Sequence, residues 1–318
     1  MRNILIRKIN RAPLPGASCL SISFPALSHG AIIRQPLGGN ITHPKRHRTH
    51  IIHKYLLMLF SLFLFAACEE VINVNLTEAE PMNVIDASIT ENSPCIVLLT
   101  RSQGFYNNES YERISDAKVE LFDEYGNSDV LAESNKDKGL YFSQMIGTVG
   151  FTYTLKVTSG NNVYEAKATI PQAIPIDSVY IYRVKIGNED IYSPCVAFQD
   201  PPEEDNYYYT TLYVNGNPMS SIYLDNDEYR NGLKVENILF FDKEDNNDEE
   251  LKAGDKLRID MQTLDKGMYT FYNSLRSVAA GGGTNPLTNI TGGALGCFKA
   301  YNAYWVDYTV SEEDVSAK

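Results

Sequence analysis

Residues 151–170 read FTYTLKVTSGNNVYEAKATI, and this stretch carries the clearest fold signal in the chain. Apolar residues alternate with polar ones from Phe151 to Val157. The same pattern returns from Tyr164 to Ile170, after the turn residues Gly160-Asn161-Asn162. Alternation with a period of two is typical of a β-strand that buries one face. The stretch therefore predicts two strands of an antiparallel sheet.

Strand patterns of the same kind precede this stretch, at residues 83–90, 95–100, 117–122 and 139–142. Turn residues bound them, as in Asp123-Glu124-Tyr125-Gly126-Asn127. About seven short strands within about 100 residues are typical of an antiparallel β-sandwich. Pro171 and Pro175 then interrupt the pattern, so we predict a sandwich domain over 81–175 and a boundary after it.

Strand patterns return after this boundary, at 176–182, 196–199, 207–214, 238–241, 256–261 and 304–310. One helix is predicted over 266–279, because apolar residues recur there at helical spacing (Met268, Phe271, Tyr272, Leu275 and Val278). Asp265 suits the N-cap, and Gly281-Gly282-Gly283 supplies a stop. The predicted fold is mainly β, with two β-sandwich-like domains. The second, over 176–318, is β-rich and carries the one α-helix.

The first 67 residues differ sharply in charge from the remainder. They hold nine of the 28 Lys and Arg residues, all five histidines and no Asp or Glu. Residues 68–318 therefore carry 19 basic and 40 acidic side chains, a formal net charge of −21. So abrupt a shift indicates a processing boundary, which makes 1–67 a signal region. Residues 1–44 are too long for a signal n-region, so we suspect that translation starts downstream and that 1–40 are not translated.

Residues 55–67, YLLMLFSLFLFAA, form an apolar run directly before Cys68. A helix of this length spans about 20 Å, against about 30 Å for the hydrocarbon core of a bilayer. The run is therefore interpreted as a signal-peptide h-region and not as a transmembrane span. Leu64-Phe65-Ala66-Ala67-Cys68 resembles a bacterial lipobox, which implies cleavage before Cys68 and lipid on its thiol. An ordinary secretory signal beside a cysteine is the alternative.

Residues 68–80 are expected to form a lipidated tether, with lipid as the membrane anchor. Glu69 and Glu70 follow the cysteine directly. Two acidic residues at this place resemble the surface-export signal of bacteroidete lipoproteins, and solvated charge is the alternative reading. Cys95, Cys195 and Cys297 remain, an odd number without the spacing of a disulfide framework. Both buried free thiols and a Cys195–Cys297 bridge stay open.

Composition and motifs argue against several functions. A net charge of −21 argues against a nucleic-acid partner, since a binder must neutralise phosphates with Lys and Arg. The chain after Cys68 contains no histidine, which removes Ser-His-Asp and Cys-His catalysis and every zinc site that needs imidazole. No phosphate loop, dinucleotide fingerprint or Gly-x-Ser-x-Gly motif is present. We therefore predict no catalytic residue, no metal and no cofactor, and a protein that is not an enzyme.

Three acidic segments could be interpreted as cation-binding or interaction sites. Asp225–Glu228 and Asp242–Glu250 carry oxygen ligands but lack the glycine and spacing of an EF-hand, so we interpret them as solvated loops. Asp200–Asp205 contains two prolines and is interpreted as a rigid turn, with an interaction role left open.

Tyrosine is abundant, and 20 of the 21 tyrosines lie after the predicted signal region 1–67. Most are expected to pack within sheets, since aromatic residues suit strands. The remainder could form a platform for sugar or peptide. We predict such a platform from Tyr301, Tyr304 and Trp305 near the C-terminus.

Several segments resemble one bacteroidete family of lipoproteins, called domain-of-unknown-function family 4249. The segments are the lipobox, Ile176-Asp177-Ser178-Val179, Phe198-Gln199-Asp200-Pro201-Pro202, Asn206-Tyr207-Tyr208, Gly254-Asp255, the helix with Tyr269 and Tyr272, Asn289-Ile290 and Gly296-Cys297-Phe298. The resemblance covers nearly all of the chain after Cys68. Residues 117–121, 139–141 and 153–157 are also similar to the transthyretin-like or carboxypeptidase-regulatory sandwich. The resemblance thus makes 81–175 an immunoglobulin- or transthyretin-like sandwich.

The resemblance implies an outer-membrane lipoprotein, often encoded beside a TonB-dependent receptor, and no established activity. We expect a lipid-anchored protein that assists such a receptor in nutrient uptake, with the side of the membrane that it faces left open. A structural surface protein such as an adhesin, or a carbohydrate-binding module, are the alternatives. Asp177-Ser178-Val179 also matches the Asp-Ser/Thr-aliphatic pattern of O-glycosylation in such bacteria, which makes Ser178 a candidate for modification.

Overall fold

Strands make up most of the described chain in the computed structural model. The structure describes residues 6–8, 80–104, 110–187, 189–202, 205–281 and 285–316. The predicted signal region apart from 6–8, and residues 68–79 of the tether, which include Cys68, Glu69 and Glu70, lie outside the described residues. No helix in the described ranges has the length and apolar character needed to cross a membrane.

The element bounds confirm a mainly β fold with one long helix. The strands are β1 (Ile6–Lys8), β2 (Asn83–Thr90), β3 (Pro94–Arg101), β4 (Lys118–Asp123), β5 (Ser128–Val130), β6 (Ala132–Glu133), β7 (Leu140–Ile146), β8 (Thr152–Ser159), β9 (Asn162–Thr169), β10 (Ile176–Ile186), β11 (Glu189–Gln199), β12 (Tyr207–Val214), β13 (Asn217–Pro218), β14 (Tyr223–Asn226), β15 (Lys234–Ile238), β16 (Lys256–Leu264), β17 (Ile290–Thr291) and β18 (Leu295–Thr309). The helices are α1 (Lys266–Ala279) and α2 (Glu312–Val315), and a 3-10 turn spans Lys243–Asn246.

One ten-stranded sheet runs through the described chain, in the order β13-β12-β16-β18-β2-β3-β7-β6, with β14 paired to β12 and β1 to β18. The long strand β18 joins its two halves. Residues 301–309 of β18 pair antiparallel with β16, and residues 295–301 pair in parallel with β2. The last strand of the chain therefore lies beside the strand that begins at Asn83.

Two smaller sheets cover the long one. The five-stranded sheet has the order β17-β9-β8-β4-β5, and the three-stranded sheet has the order β10-β11-β15. Val97 of β3 and Leu155 of β8 belong to one hydrophobic cluster, which fills the space against the five-stranded sheet. Phe198 of β11 and Ile259 of β16 belong to a second cluster, against the three-stranded sheet. Burial of alternate residues on facing sheets is what the period-two pattern requires.

The predicted domain boundary at Pro171–Pro175 separates neither the clusters nor the sheets, because Ile290, Phe298 and Ala300 of the C-terminal half are buried in the first cluster. Residues from Glu80 onward belong to one compact unit, and strands from both predicted domains share the long sheet. β17, from the C-terminal half, also pairs with β9 of the N-terminal half. The division into 81–175 and 176–318 therefore stays a prediction about folding units. Strands from the two parts pair with each other in the same sheets.

The helix prediction is confirmed at both ends. α1 begins after Asp265, whose Oδ1 accepts a hydrogen bond from the Met268 N–H at 2.8 Å. Its buried face contains Met268, Phe271, Tyr272 and Leu275. The chain leaves the helix at Gly281, with φ at 98°, a conformation that glycine adopts without the clash of a Cβ atom.

Three strand predictions are wrong in their bounds. The strand expected at 196–199 begins at Glu189, seven residues before the predicted start. The strand expected at 238–241 lies at Lys234–Ile238, and beyond it the Phe241 N–H donates to the Ser193 Oγ at 3.0 Å instead of to a strand. The last strand begins at Leu295, nine residues before the predicted start. Gly296 there has φ at 97°, and a Cβ at this position would lie 2.0 Å from the Ile85 oxygen. This close approach to β2 interrupts the apolar alternation that the prediction relied on.

Candidate functional site

The C-terminal half of the long sheet buries one face in the second cluster. α1 covers one end of the opposite face, where Leu264 is buried in a third cluster and Tyr209 and Tyr301 pack against it. On β16, Leu257, Ile259 and Met261 are buried in the second cluster. Arg258, Asp260 and Gln262 alternate with them, and therefore point to the opposite side. We call that side the outer face.

Strand register assembles the outer face from three strands. Arg258 lies opposite Tyr213 and Asp307, Asp260 opposite Trp305, and Gln262 opposite Tyr209. Directly opposed residues of paired strands share a face. Two further side chains of β18, Lys299 and Tyr301, complete the set. The outer face is thus defined by Tyr209, Tyr213, Arg258, Asp260, Gln262, Lys299, Tyr301, Trp305 and Asp307.

Lys299 lies among tyrosine rings at one end of the outer face. Its Nζ is 4.3 Å from the ring centroid of Tyr301, 5.6 Å from that of Tyr209 and 5.5 Å from that of Tyr272 on α1. The same Nζ donates to the Gln262 Oε1 at 2.6 Å and to the Tyr272 hydroxyl at 3.3 Å. Tyr209 and Tyr272 stack with ring centroids 4.6 Å apart. Cation–π contacts and hydrogen bonds together hold this ammonium in one place.

The other end of the outer face is built on Trp305. The guanidinium carbon of Arg258 lies 4.3 Å from the centroid of the Trp305 ring. Arg258 also donates from Nε to the Asp307 Oδ1 at 2.8 Å, and from a terminal nitrogen to the Asp307 Oδ2 at 3.2 Å. A two-bond Arg–carboxylate pair restricts the plane of the guanidinium. The stacked indole is thereby held in a defined orientation at the sheet surface.

Asp260 lies between these two ends and has an unusual environment. Its Oδ1 is buried and has no hydrogen-bond partner. Burial raises the pKa of this carboxyl to about 6, against the opposing influence of Lys299, a hydrogen bond with Gln262 and the charge of Arg258. A half-buried carboxyl with one unpaired oxygen, surrounded by aromatic rings, can accept a hydrogen bond from a ligand.

The predicted platform is assembled only in part. Tyr301 and Trp305 both lie on the outer face, four residues apart on β18. Tyr304 lies opposite Met261, on the other side of the sheet. Tyr213, Asp260 and Lys299 were not predicted. The alternation of Lys256, Arg258 and Asp260 with apolar residues was a signal for a polar strand face, but the neighbours of that face depend on strand order.

A second candidate is a cavity of about 220 Å³ where the two halves of the chain meet. It is lined by Pro171, Gln172, Ile174, Pro201, Asp205, Asn206, Thr263 and Leu264. The Oγ1 of Thr263, a fully buried residue, has no hydrogen-bond partner. The cavity is small and half apolar, and the neighbouring residues 203 and 204 lie outside the described part of the chain.

The turn beside this cavity is held by a buried carboxylate. Asp200 is 0% exposed and accepts hydrogen bonds from the Tyr208 hydroxyl and from the Gly232 N–H, the latter at 2.9 Å. The Gln199 amide donates to the Gly232 oxygen at 3.0 Å. These bonds tie the Asp-Pro-Pro turn to β12 and to the segment before β15, which gives the turn a structural role.

The acidic side chains of segments 225–228 and 242–250 form hydrogen bonds and ion pairs within the protein. Asp242 caps the 3-10 turn, and Asp245 accepts from the Ser220 hydroxyl at 2.6 Å. Asp225 pairs with Arg230 and accepts from the Asn237 amide at 2.5 Å. Within the described ranges, no group of three or more His, Cys, Asp or Glu side chains is placed to hold a metal ion.

The cysteines and Ser178 complete the predicted sites. Cys95, Cys195 and Cys297 are buried, and Cys195 and Cys297 do not form a disulfide with each other. Burial raises the pKa of the Cys195 thiol. Ser178 lies in β10 opposite Ala197, next to an irregularity in the strand pairing, and is half-buried. Its modification stays a prediction.

Fold and site together define a mainly β protein with an aromatic, charged surface on the outer side of its long sheet. A family model described as "Domain of unknown function (DUF4249)" matches residues 69–304, and the chain belongs to that family. A search of curated proteins found no match.

Proposed function

We propose that this protein is a non-catalytic, lipid-anchored protein of the outer membrane that assists a TonB-dependent receptor in nutrient uptake. The observation that carries the proposal is the outer face, where tyrosine, tryptophan and arginine are gathered on one sheet surface. These residue types are enriched at the energetically important centres of binding interfaces. Contact with a ligand or a partner is the function that such a surface supports best.

The outer face is also organised in advance of binding. Arg258 and Asp307 hold Trp305, while Gln262 and the tyrosine rings hold Lys299. Side chains that are already ordered lose less conformational entropy when a partner arrives. Rigid aromatic groups on a sheet are therefore suited to recognition without a large structural change.

The proposed anchor is lipid on Cys68, which follows the apolar run 55–67. The family match begins at Glu69, the residue after this cysteine, which supports a boundary at that point. We further propose that Glu69 and Glu70 direct the protein to the cell surface. The protein would thus be a bacteroidete-type surface lipoprotein, whose N-terminal half is a transthyretin-like or carboxypeptidase-regulatory-like sandwich.

A catalytic role has less support. All five histidines lie between residues 29 and 53, so the processed protein would carry no imidazole. Proton transfer near neutral pH would then depend on a carboxyl or lysine with a shifted pKa. Asp260 is such a carboxyl, with its pKa near 6, and the residues directly opposite it in the strand register are Thr211 and Trp305. A ligand contact is the simpler role for it.

Site-specific photo-crosslinking in the native membrane tests the proposal. A photoreactive amino acid would replace Tyr213 on the outer face, and in a control protein Tyr125, which is 69% exposed in the turn between β4 and β5. We expect Tyr213 to crosslink to an outer-membrane β-barrel receptor and Tyr125 to do so much less. Crosslinks from Tyr213 to copies of the same chain alone would instead favour a structural, adhesin-like protein.

A further inference from the structure

We propose that the outer face binds a neutral pyranose sugar within an oligosaccharide, with Asp260 accepting a hydrogen bond from a sugar hydroxyl beside the rings of Trp305 and Tyr213. This inference rests on the proposed function, because it names the class of nutrient that the protein would capture for its receptor.

The first argument is the unpaired oxygen of Asp260. Its Oδ1 is removed from water and receives no hydrogen bond from the described residues. A buried acceptor that lacks a donor is costly, and proteins keep such groups where a ligand or another group supplies the donor. The strand neighbours of Asp260, Thr211 and Trp305, lie on either side of it on the same face. A ligand that lies across this face and separates these two side chains would bring its donor to this oxygen.

The second argument concerns the charge of the ligand. The charges of Lys299 and Arg258 both act on Asp260 and partly offset the effect of burial on its pKa. A cationic ligand would be repelled by these two side chains, whereas an anionic ligand would be repelled by Asp260 itself. A neutral hydroxyl group donates to the carboxylate without either repulsion. Because the two cations are offset by Asp260 and Asp307, this face gives no net attraction to either kind of ion and favours a neutral, hydroxyl-bearing ligand.

The third argument is the arrangement of the rings. Trp305 and Tyr213 are partly exposed on this face, whereas Tyr301, four residues before Trp305, packs against the hydrophobic cluster that contains α1. Tyr213 lies two strands away from Asp307, across Arg258. Pyranose rings expose C–H groups on their faces, which pack against aromatic rings, and hydroxyls on their edges. A row of such rings along a flat sheet would meet aromatic surface and polar groups such as Asp260 and Gln262 at once.

The chain contains a single tryptophan, Trp305, so its fluorescence reports on the outer face alone. The full lipidated protein would be purified in lauryldimethylamine oxide, a detergent without a sugar headgroup. It would be titrated with maltohexaose, cellohexaose, mannohexaose and xylohexaose. We expect at least one of these to shift the Trp305 emission to shorter wavelength and to protect the indole from acrylamide quenching.

Variants of Asp260 separate the ligand classes. Asp260→Ala removes the acceptor and should weaken sugar binding about tenfold or more. Asp260→Asn keeps a carbonyl acceptor without the charge, and should retain sugar binding within a few fold. Tyr125→Ala, remote from the outer face in sequence and strand order, is the matched control and should leave the titration unchanged. Circular dichroism would verify that each variant is folded.

Two results would overturn the inference. One is the absence of any emission change with all four hexasaccharides. The other is a response to hexalysine that Asp260→Asn abolishes, which would identify a cation site instead. If no sugar binds but Tyr213 still crosslinks to a receptor, this inference is wrong and the proposed function is still supported. Sugar binding without any receptor crosslink would remove the receptor partnership and leave a carbohydrate-binding module.

Discussion

The guanidinium of Arg258 stacks against the indole of Trp305, with its carbon 4.3 Å from the ring centroid. The two residues lie on neighbouring strands, β16 and β18, and Asp307 of β18 fixes the guanidinium through two hydrogen bonds. The sequence around each residue gives no indication that the two side chains are in contact. Their contact orients the only tryptophan of the chain on the outer face, and the first prediction follows from it.

Arg258→Ala should loosen Trp305 without unfolding the protein. An exposed cation–π contact contributes about 0.5–1 kcal/mol, and an exposed ion pair a similar amount or less. We therefore expect a small loss in stability, together with a red shift of the Trp305 emission and stronger acrylamide quenching. Lys252→Ala, which removes an exposed ion pair with Glu249, is the control and should leave the emission unchanged. An unaltered emission in Arg258→Ala would show that the stack does not hold the indole.

Asp260→Asn should stabilise the protein near neutral pH. The folded state raises the pKa of Asp260 from 3.8 to about 6, so in that interval the folded protein binds more protons than the unfolded chain. Stability contributed by this group is therefore present below pH 4 and is lost as the pH rises through about 6. A shift of about two pKa units means that the ionised carboxyl lowers the free energy of unfolding by at most about 3 kcal/mol. The gain in the variant should be smaller than this, because Asp260→Asn also loses the attraction to Lys299.

Urea unfolding of the parent and Asp260→Asn at pH 4, 5, 6 and 8 measures this effect. The stability of the variant relative to the parent should increase from pH 4 to about pH 6 and then level off. A difference that stays constant across this range would show that the carboxyl titrates normally in the folded protein.

Tyr208→Phe should destabilise the protein by about 1–3 kcal/mol, because it leaves the fully buried Asp200 with one donor fewer. Tyr209→Phe, the neighbouring residue on the opposite face of β12, is the matched control. Removal of its hydroxyl should lower the free energy of unfolding by less, since Tyr209 is half-buried whereas Tyr208 is buried. The measurement is the free energy of unfolding in urea. Equal effects of the two substitutions would argue against a structural role for the Asp200–Tyr208 bond.

Cys68→Ala should abolish lipid labelling and release the protein from membranes, because lipid on this thiol is the proposed anchor. The test is incorporation of labelled palmitate together with membrane fractionation. Cys195→Ala provides the comparison, since Cys195 is a buried free thiol. Palmitate uptake by Cys68→Ala, with continued fractionation in membranes, would refute the anchor.

Replacing Glu69 and Glu70 with Ala should leave the lipid in place but keep the protein on the periplasmic side. Protease added to intact cells reports which side it faces. Replacing Glu312 and Glu313, two acidic residues at the other end of the chain, controls for the loss of charge. Equal protease access in the double variant and the parent would remove the proposed export role of these two acids.

Much of the local structure could be predicted from the sequence. The period-two pattern located β8 and β9, and the helical spacing with its Asp265 cap located α1, because these signals depend on neighbours a few residues apart. β18 was located only in part. Gly296 approaches β2 closely, and Lys299 and Asn302 interrupt the apolar alternation, so its first half does not resemble a half-buried strand.

The candidate site was predicted less well than the fold. Tyr301 and Trp305 were selected because they are aromatic and close in sequence, and Tyr304 was selected for the same reason. Strand register places Tyr304 on the opposite face, since side chains alternate across a strand. Asp260 and Lys299 were missed, because a single charged residue in a strand is unremarkable until its neighbours are known.

The sequence by itself determined the β-rich class, the bounds of α1 and the sharp change of charge at Cys68, all of which follow from composition and short-range pattern. Only the tertiary structure decided that β18 pairs with both β16 and β2, and that residues from β12, β16 and β18 meet on one outer face. The physical reason is that period-two patterns specify which face of a strand is buried, but not which strand lies beside it. That choice depends on packing between residues as distant as Asp86 and Cys297 in the chain.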